Sequence, residues 1–327
     1  MRYRSLGRRG PKVSSIGLGC MGFTLPTRVH DRKEAIATIQ RALDCGVTLL
    51  DTSDAYGPHL NERLVGGAIR DRRDQIVLAS KFGVIVNPKH GIRVDGRPGR
   101  VRRACEASLR RLKVDWIDLY YLHRVDPDVP IEETVGAMAA LVAAGKVRWL
   151  GLSEAAPATI RRAHSTHPLT ALQTEYSLWT RDPEDELLSL VRELGIGFAA
   201  YSPLGRGFLA GRFAAPEDLD PRDYRRTHPR FQDQNFDRNL ALLAELETVA
   251  DRLQVTPAQL ALAWVLAQGE DIVALPGPTS RHHLDDDLMA ADITLSPLVI
   301  DHLARVFRRS NVAGERYPED GRRLVNL

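Results

Sequence analysis

Along most of this chain, short apolar runs alternate with longer stretches in which apolar residues recur every three to four positions. Runs of the first kind, bounded by glycine and polar clusters, read as strands buried on both faces. The longer stretches read as amphipathic helices. Residues 2–6 and 12–16 flank Gly7-Arg8-Arg9-Gly10, a turn composition that predicts an N-terminal hairpin. Strand runs then fall at 15–19, 47–51, 76–80, 117–122, 147–152, 170–172, 197–200 and 272–275. Helical periods occupy 34–45, 62–69, 100–112, 131–144, 240–253, 257–268, 282–290 and 297–309. Gly145 supplies a helix stop, and Thr256-Pro257 a cap followed by a favoured first residue. Residues 205–239 break the rhythm with charge, proline and glycine, as a functional loop does.

Strands alternating with helices, with no break in composition, predict one parallel α/β domain over residues 1–327. Eight such units point to a closed (β/α)₈ TIM barrel rather than an open doubly wound sheet. The barrel carries an N-terminal hairpin at 1–13, an extra C-terminal helix and a polar tail at 311–327. Catalytic groups in such barrels gather at the C-terminal ends of the strands.

Composition narrows the partners. A hydrophobic fraction of 43% supports a substantial core, and a net charge of +3 is too small and too evenly mixed to argue for nucleic acid. Arg102, Arg103, Arg110 and Arg111 line one face of the 100–112 helix, but no aromatic residues interleave, so a solvated outer face is expected. Cys20, Cys45 and Cys105 are odd in number and widely spaced, which fits a reducing, cytoplasmic setting and neither a disulfide framework nor a zinc site. No apolar stretch reaches membrane-spanning length. The histidines His123, His282 and His283 and the run Asp285–Asp287 could offer metal ligands, yet no strand carries an H-x-H pair; no metal is expected.

The strand ends hold the chemistry: Asp51, Lys81, His123, Ser153, Gln173 and Tyr201, with Tyr56 in the loop after the second strand. A phenol beside a buried ammonium should have its pKa lowered from about 10, while a carboxylate makes burial of that ammonium tolerable. A histidine opposite can hold a substrate oxygen in line. The set suits delivery of a proton to a carbonyl oxygen as charge develops on it. None of these groups carries electrons, so a nicotinamide cofactor is implied. The usual dinucleotide fingerprint is missing, since Gly17-Leu18-Gly19 runs into Cys20-Met21-Gly22 without opening a helix. Tyr176, Trp179, Phe23, Phe82 and Val84 follow strand ends and read either as an apolar substrate pocket or as ordinary loop packing.

The strings DTSDAYG, LASKFG, YYLHRVDPD, GLSEA, QTEYSLW and AYSPLGRGFLAG, in that order, resemble the aldo-keto reductases. The bacterial branch with SPLGRGFL and a GERYPE-like tail is the most similar, and the resemblance runs from Tyr3 to Tyr317. It implies Tyr56 as general acid, tuned by Lys81 and Asp51, with His123 orienting the carbonyl of a small-molecule substrate. It also implies NADPH as cofactor. Ser153 and Gln173 would hold the carboxamide, Tyr201 would stack on the nicotinamide, and Met21 and Gly22 would lie along its ribose. Ser202, Leu204, Arg206 and Gly207 would wrap the pyrophosphate. Gly277, Thr279, Ser280, Arg281 and Asp287 would complete the far end.

There the chain departs from its relatives, which commonly carry lysine or arginine directly after a small hydroxyl and then a Glu-Asn pair. One permanent cation, Arg281, is left beside Thr279 and Ser280, and Asp285–Asp287 oppose a phosphate, so NAD is the alternative cofactor. His282 and His283 would assist only when protonated, below about pH 6.5. A second functional class, a cofactor-binding redox sensor with little turnover, also fits. The sequence does not decide whether the tail covers the pocket.

Overall fold

The computed structural model describes residues 1–25, 31–87 and 91–326. Strands β1 (Tyr3–Ser5) and β2 (Lys12–Ser14) form the expected antiparallel hairpin. The barrel strands are β3 (Leu18–Gly19), β4 (Leu49–Asp51), β5 (Val77–Phe82), β8 (Ile117–Leu122), β9 (Val147–Ser153), β10 (Ala171–Glu175), β11 (Gly197–Tyr201) and β12 (Ile272–Leu275). They pair in parallel in that order. A bridge between Ile16 and Ala274 closes the ring, with Gly17 N–H donating to the Ala274 carbonyl at 2.8 Å. The eight-stranded barrel is therefore shut.

Two apolar layers follow from that closure. Inside, Leu49, Ala79, Leu119, Ala171, Ala199 and Val273 fill the barrel, and Leu6 and Val13 of the hairpin pack among them as a floor. Arg4 fixes the hairpin there by donating to the carbonyls of Leu266, Gly269 and Ile272. Outside, the strands face helices α1 (Arg32–Asp44), α2 (Leu60–Ala68), α3 (Pro98–Leu112), α4 (Ile131–Ala143), α5 (Pro157–Thr166), α6 (Leu187–Leu194), α7 (Asp233–Leu253), α8 (Pro257–Ala267) and α9 (Arg281–Met289). Helices α10 (Pro297–Val306) and α11 (Glu319–Arg322) belong to the C-terminal extension. With one end floored by the hairpin, only the C-terminal mouth is open for a site.

Differences from the sequence reading have local causes. Strands β5, β9, β10 and β11 run one to three residues further than their apolar runs, because Lys81, Ser153, Gln173–Glu175 and Tyr201 keep the ladder while burying polar side chains. Helix α5 was not foreseen: it buries only Ile160 and Ala163, too few positions to show a period. Helix α6 was likewise not foreseen: it is only eight residues long, Leu187–Leu194, and buries Leu188, Leu190 and Val191. An extra hairpin, β6 (Val84–Asn87) with β7 (Gly91–Val94), follows β5 and was likewise not foreseen.

Adjacent glycines in α2 give a test of the packing. A Cβ on Gly66 would lie 2.2 Å from the Leu112 carbonyl oxygen, whereas one on Gly67 would meet nothing within 4 Å. Gly66→Ala should destabilise the protein by about 1–3 kcal/mol, because backbone has to move. Gly67→Ala should be neutral or stabilising by up to about 1 kcal/mol. Thermal denaturation of the two variants measures the difference.

Candidate active site

The turn after β4 is rigid before any chemistry enters. Thr52 and Asp54 N–H donate to the carbonyls of Ala79 and Lys81 at 3.0 and 3.1 Å, continuing the pairing with β5 past the strand end. The Thr52 hydroxyl donates to Asn61 Oδ1 at 2.6 Å, and Asn61 Nδ2 donates to the Cys20 carbonyl at 2.7 Å. Gly57 turns with φ of 61°, and a Cβ there would sit 2.7 Å from Thr24, so the sharp return requires glycine. Tyr56 is thereby brought over β5.

Lys81 is completely buried, and each of its three donors is used. It forms an ion pair with Asp51 and donates to the Thr52 carbonyl at 2.9 Å and to the Tyr56 hydroxyl oxygen at 3.2 Å. The other Asp51 oxygen accepts from Gln173 Nε2 at 2.8 Å. Because the ammonium donates to the phenol oxygen, the phenol's own proton stays available to a third group. His123 stands edge-on to Tyr56 with ring centroids 5.7 Å apart. Its Nδ1 lies 3.1 Å from Ser53 Oγ, whose competing acceptor, the Lys81 carbonyl, is 3.4 Å away. With the Ser53 hydroxyl donating to Nδ1, the neutral ring keeps its proton on Nε2, the nitrogen left to donate to a substrate oxygen.

Electrostatics correct one expectation. The Tyr56 phenol is raised above its ordinary value, not lowered, because burial outweighs the pull of Lys81. The ammonium's effect is blunted by Asp51, which pushes the phenol upward. Tyr56 is thus a protonated acid at neutral pH. Burial, with Arg124 and Lys81 adding to it, holds His123 well below 6.5, so the imidazole is neutral. Burial works against the charge on Lys81, but Asp51 and Tyr56 raise it further, and the lysine stays charged. Cys20 is no nucleophile: burial drives its thiol well up.

A cavity of about 930 Å³ opens over these groups and extends across the mouth to the loop after β12. Asp51, Tyr56, His123, Ser153, Gln173 and Tyr201 lie on its wall, as do Met21, Gly22, Ser202, Leu204, Arg206 and Gly207. Gly277, Thr279 and Asp287 close the far end. Gly22 is shaped to that end, since a Cβ on it would come 2.8 Å from the Thr279 methyl. Ser280 and Arg281 are not on this wall: Ser280 caps α9, and exposed Arg281 pairs with Glu34 at 3.0 Å. Arg206 has its charge matched by Glu175 at 2.7 Å. Asp285 and Asp286 turn away to Arg41 and to Thr256 and Gln259, and among the described residues no acid–histidine–cysteine cluster suits a metal.

Of the apolar pocket candidates, Val84 alone reaches the cavity. Tyr176 bonds Glu184, Trp179 stacks on Phe208 at 4.1 Å, Phe82 stacks on Tyr120 at 5.0 Å and Phe23 is core, so these four are packing. Arg124 and Ser53 were not foreseen as site groups, and the tail, whose place the sequence left open, joins the wall through Tyr317, Gly321 and Leu324. Tyr317 Oη lies 2.7 Å from Tyr201 Oη, and Arg316 pairs with buried Glu154 at 2.6 Å. The tail covers the pocket. Ser53 lies in the DTSDAYG string, Arg124 in the string containing His123 and Tyr317 in the GERYPE-like end, so each carried a signal.

A shut parallel barrel with a phenol, an ammonium, a carboxylate and a neutral imidazole at its C-terminal mouth has the form of a barrel enzyme built for proton transfer. The chain belongs to the Aldo/keto reductase family, whose model matches residues 15–307. It is 47% identical to "Probable aldo-keto reductase 1" of Glycine max over 95% of this chain and 90% of that protein. Among solved structures it is similar to a glycerol dehydrogenase from Gluconobacter oxydans (TM-score 0.86, 28% identity, 94% and 95% covered). It is also similar to an aldo/keto reductase from Klebsiella pneumoniae in complex with NADP and acetate (TM-score 0.75, 30% identity, 97% and 99% covered). No helix among the described residues is long and apolar enough to cross a membrane.

The neutral imidazole can be checked directly. The ring resonances of His123 should show no inflection near 6.5 in an NMR titration, since its proton uptake is displaced well below that value. A titration at 6.5 would contradict the buried, uncharged role.

Proposed function

We propose that this barrel reduces aldehydes and activated ketones to alcohols with NADPH, and that Tyr56 is the general acid. The observation that carries the reading is the Tyr56 phenol on the cavity wall. It is half-buried, accepts from Lys81 at 3.2 Å and is flanked by His123. The bound nicotinamide would supply the hydride. The cavity has the volume for such a cofactor and reaches from the tetrad to Thr279, and the glycine at 22 leaves a cradle that a side chain would fill. Met21, Gly22, Ser153, Gln173, Tyr201, Ser202, Leu204, Gly207, Gly277 and Thr279 would hold it. NADP is preferred over NAD on the Klebsiella complex.

The chain's own steps follow from the geometry. His123 Nε2–H fixes the carbonyl oxygen beside the phenol. As negative charge grows on that oxygen, Tyr56 gives up its proton, and Lys81 stabilises the phenolate left behind across an existing hydrogen bond. Asp51 keeps the ammonium charged in a site without water to solvate it. The three cysteines form no disulfide, which supports a reducing, cytoplasmic location.

Tyr56→Phe should lower kcat by about a thousandfold or more while NADPH binding persists, because acid and orientation are both lost. Steady-state rates and NADPH quenching of tryptophan fluorescence measure the two, and unaltered turnover would refute the assignment. Asp287 offers a pH test. Burial raises its carboxyl to about 7, so it is neutral below that pH and negative above it. Repulsion of the cofactor's phosphates then grows as pH rises through 7, and NADPH affinity should fall about fivefold from pH 6 to pH 8. Asp287→Asn should remove that portion of the slope in the same fluorescence titration.

A further inference from the structure

Four cations around the cavity have a carboxylate partner: Lys81 with Asp51, Arg206 with Glu175, Arg225 with Asp223, and Arg316 with Glu154. Arg124 breaks the pattern. It lies on the cavity wall directly after His123, and its Nη1 donates to the His123 carbonyl at 2.7 Å and to Ser153 Oγ at 3.1 Å. No carboxylate among the described residues forms an ion pair with it. The carboxylate that acts on it is Glu154, after the Tyr201 and Tyr317 hydroxyls. That carboxylate is already taken by Arg316 at 2.6 Å, by the Tyr201 hydroxyl at 2.8 Å and by the Glu175 N–H at 2.9 Å. The Nε and Nη2 donors of Arg124 have no protein acceptor, and neither is sealed away from the cavity.

A guanidinium held by two contacts through one nitrogen keeps a fork of donors for something else. With His123 neutral and Lys81 neutralised by Asp51, Arg124 leaves the reaction end of the cavity with a net positive charge. Such a charge costs free energy unless an anion shares the space. Ser153 and the backbone of His123 fix the guanidinium at the tetrad, away from the loop after β12. The anion it meets is therefore carried by the molecule being reduced.

We propose that Arg124 recognises an oxyanion on the carbonyl substrate, a carboxylate or a phosphate, so that the preferred substrates are anionic aldehydes and ketones. This rests on the reductase reading above and adds the substrate class to it. Arg124 binds the anion through its free fork while Tyr56 and His123 hold the carbonyl oxygen. Val84, Ile92 and Leu25 supply apolar wall for the carbon skeleton between the two.

The test uses matched pairs that differ in charge: 4-carboxybenzaldehyde against its methyl ester, and glyceraldehyde 3-phosphate against glyceraldehyde. The full chain with NADPH should show kcat/KM about 10- to 100-fold higher for at least one anionic member, mostly through KM. A carboxylate-only or phosphate-only preference tells which oxyanion is read. Arg124→Gln should collapse that ratio towards one, and Arg124→Lys should restore part of it. A second readout does not depend on turnover: 4-(hydroxymethyl)benzoate should bind the protein–NADP⁺ complex about tenfold or more tighter than 1,4-benzenedimethanol, and Arg124→Gln should erase the difference. Reduction of the neutral aldehydes with no anionic preference would overturn the role of Arg124 and leave the reductase reading standing. If no aldehyde is reduced, the reductase reading fails, and equal binding of the two alcohols then refutes the anion site independently.

Discussion

The buried ion pair between Lys81 and Asp51 is the interaction on which the site depends. It joins neighbouring strands at the barrel mouth, where neither partner can recover its hydration. Burying two charges is unfavourable unless every remaining donor and acceptor is satisfied. Here the ammonium also reaches the Thr52 carbonyl and the Tyr56 oxygen, and the carboxylate also reaches Gln173. The pair therefore fixes three segments at once, from β4, β5 and β10. Remove one member and the other is an uncompensated charge in the barrel's core.

Charge matching of the same kind assembles the rest of the mouth. Glu154, just past β9, and Glu175, at the end of neighbouring β10, are both buried, and each takes an arginine brought by a distant segment. Arg206 comes from the loop after β11 and Arg316 from the tail, whose Tyr317 ring also lies against both guanidiniums. Glu154 adopts a left-handed backbone, φ 53°, which costs energy and is held by these contacts. The tail is thus part of the wall through electrostatics rather than through a large apolar face, which it lacks. Lys81, Arg206, Arg225 and Arg316 are thus paired before any ligand arrives, whereas Arg124 beside them is not.

The tetrad was legible because barrel topology converts a list of strand ends into one ring of positions. Asp51, Lys81 and His123 could be placed from the lengths of apolar runs alone, and Tyr56 from its distance past Asp51. The far end was less legible. Ser280 and Arg281 sit in a segment whose composition fits a phosphate, yet one caps a helix and the other faces Glu34, and no local pattern distinguishes these outcomes. Apolar residues after strand ends were equally ambiguous: Tyr176 packs on Trp264 of α8, Trp179 on Phe208 of the loop after β11, and Val84 faces the cavity.

By itself the sequence determined the alternation of strand and helix, the number of barrel strands, their parallel pairing and the edge on which chemistry collects. Those properties follow from period, turn residues and the handedness of crossover connections, all of which act over short stretches of chain. Only the tertiary structure decided the protonation state of Tyr56, the pairing of Arg206, the seat of the tail and the unmatched charge of Arg124. Each of these is a balance between burial and a partner more than twenty residues away. Such a balance exists only once the barrel has closed.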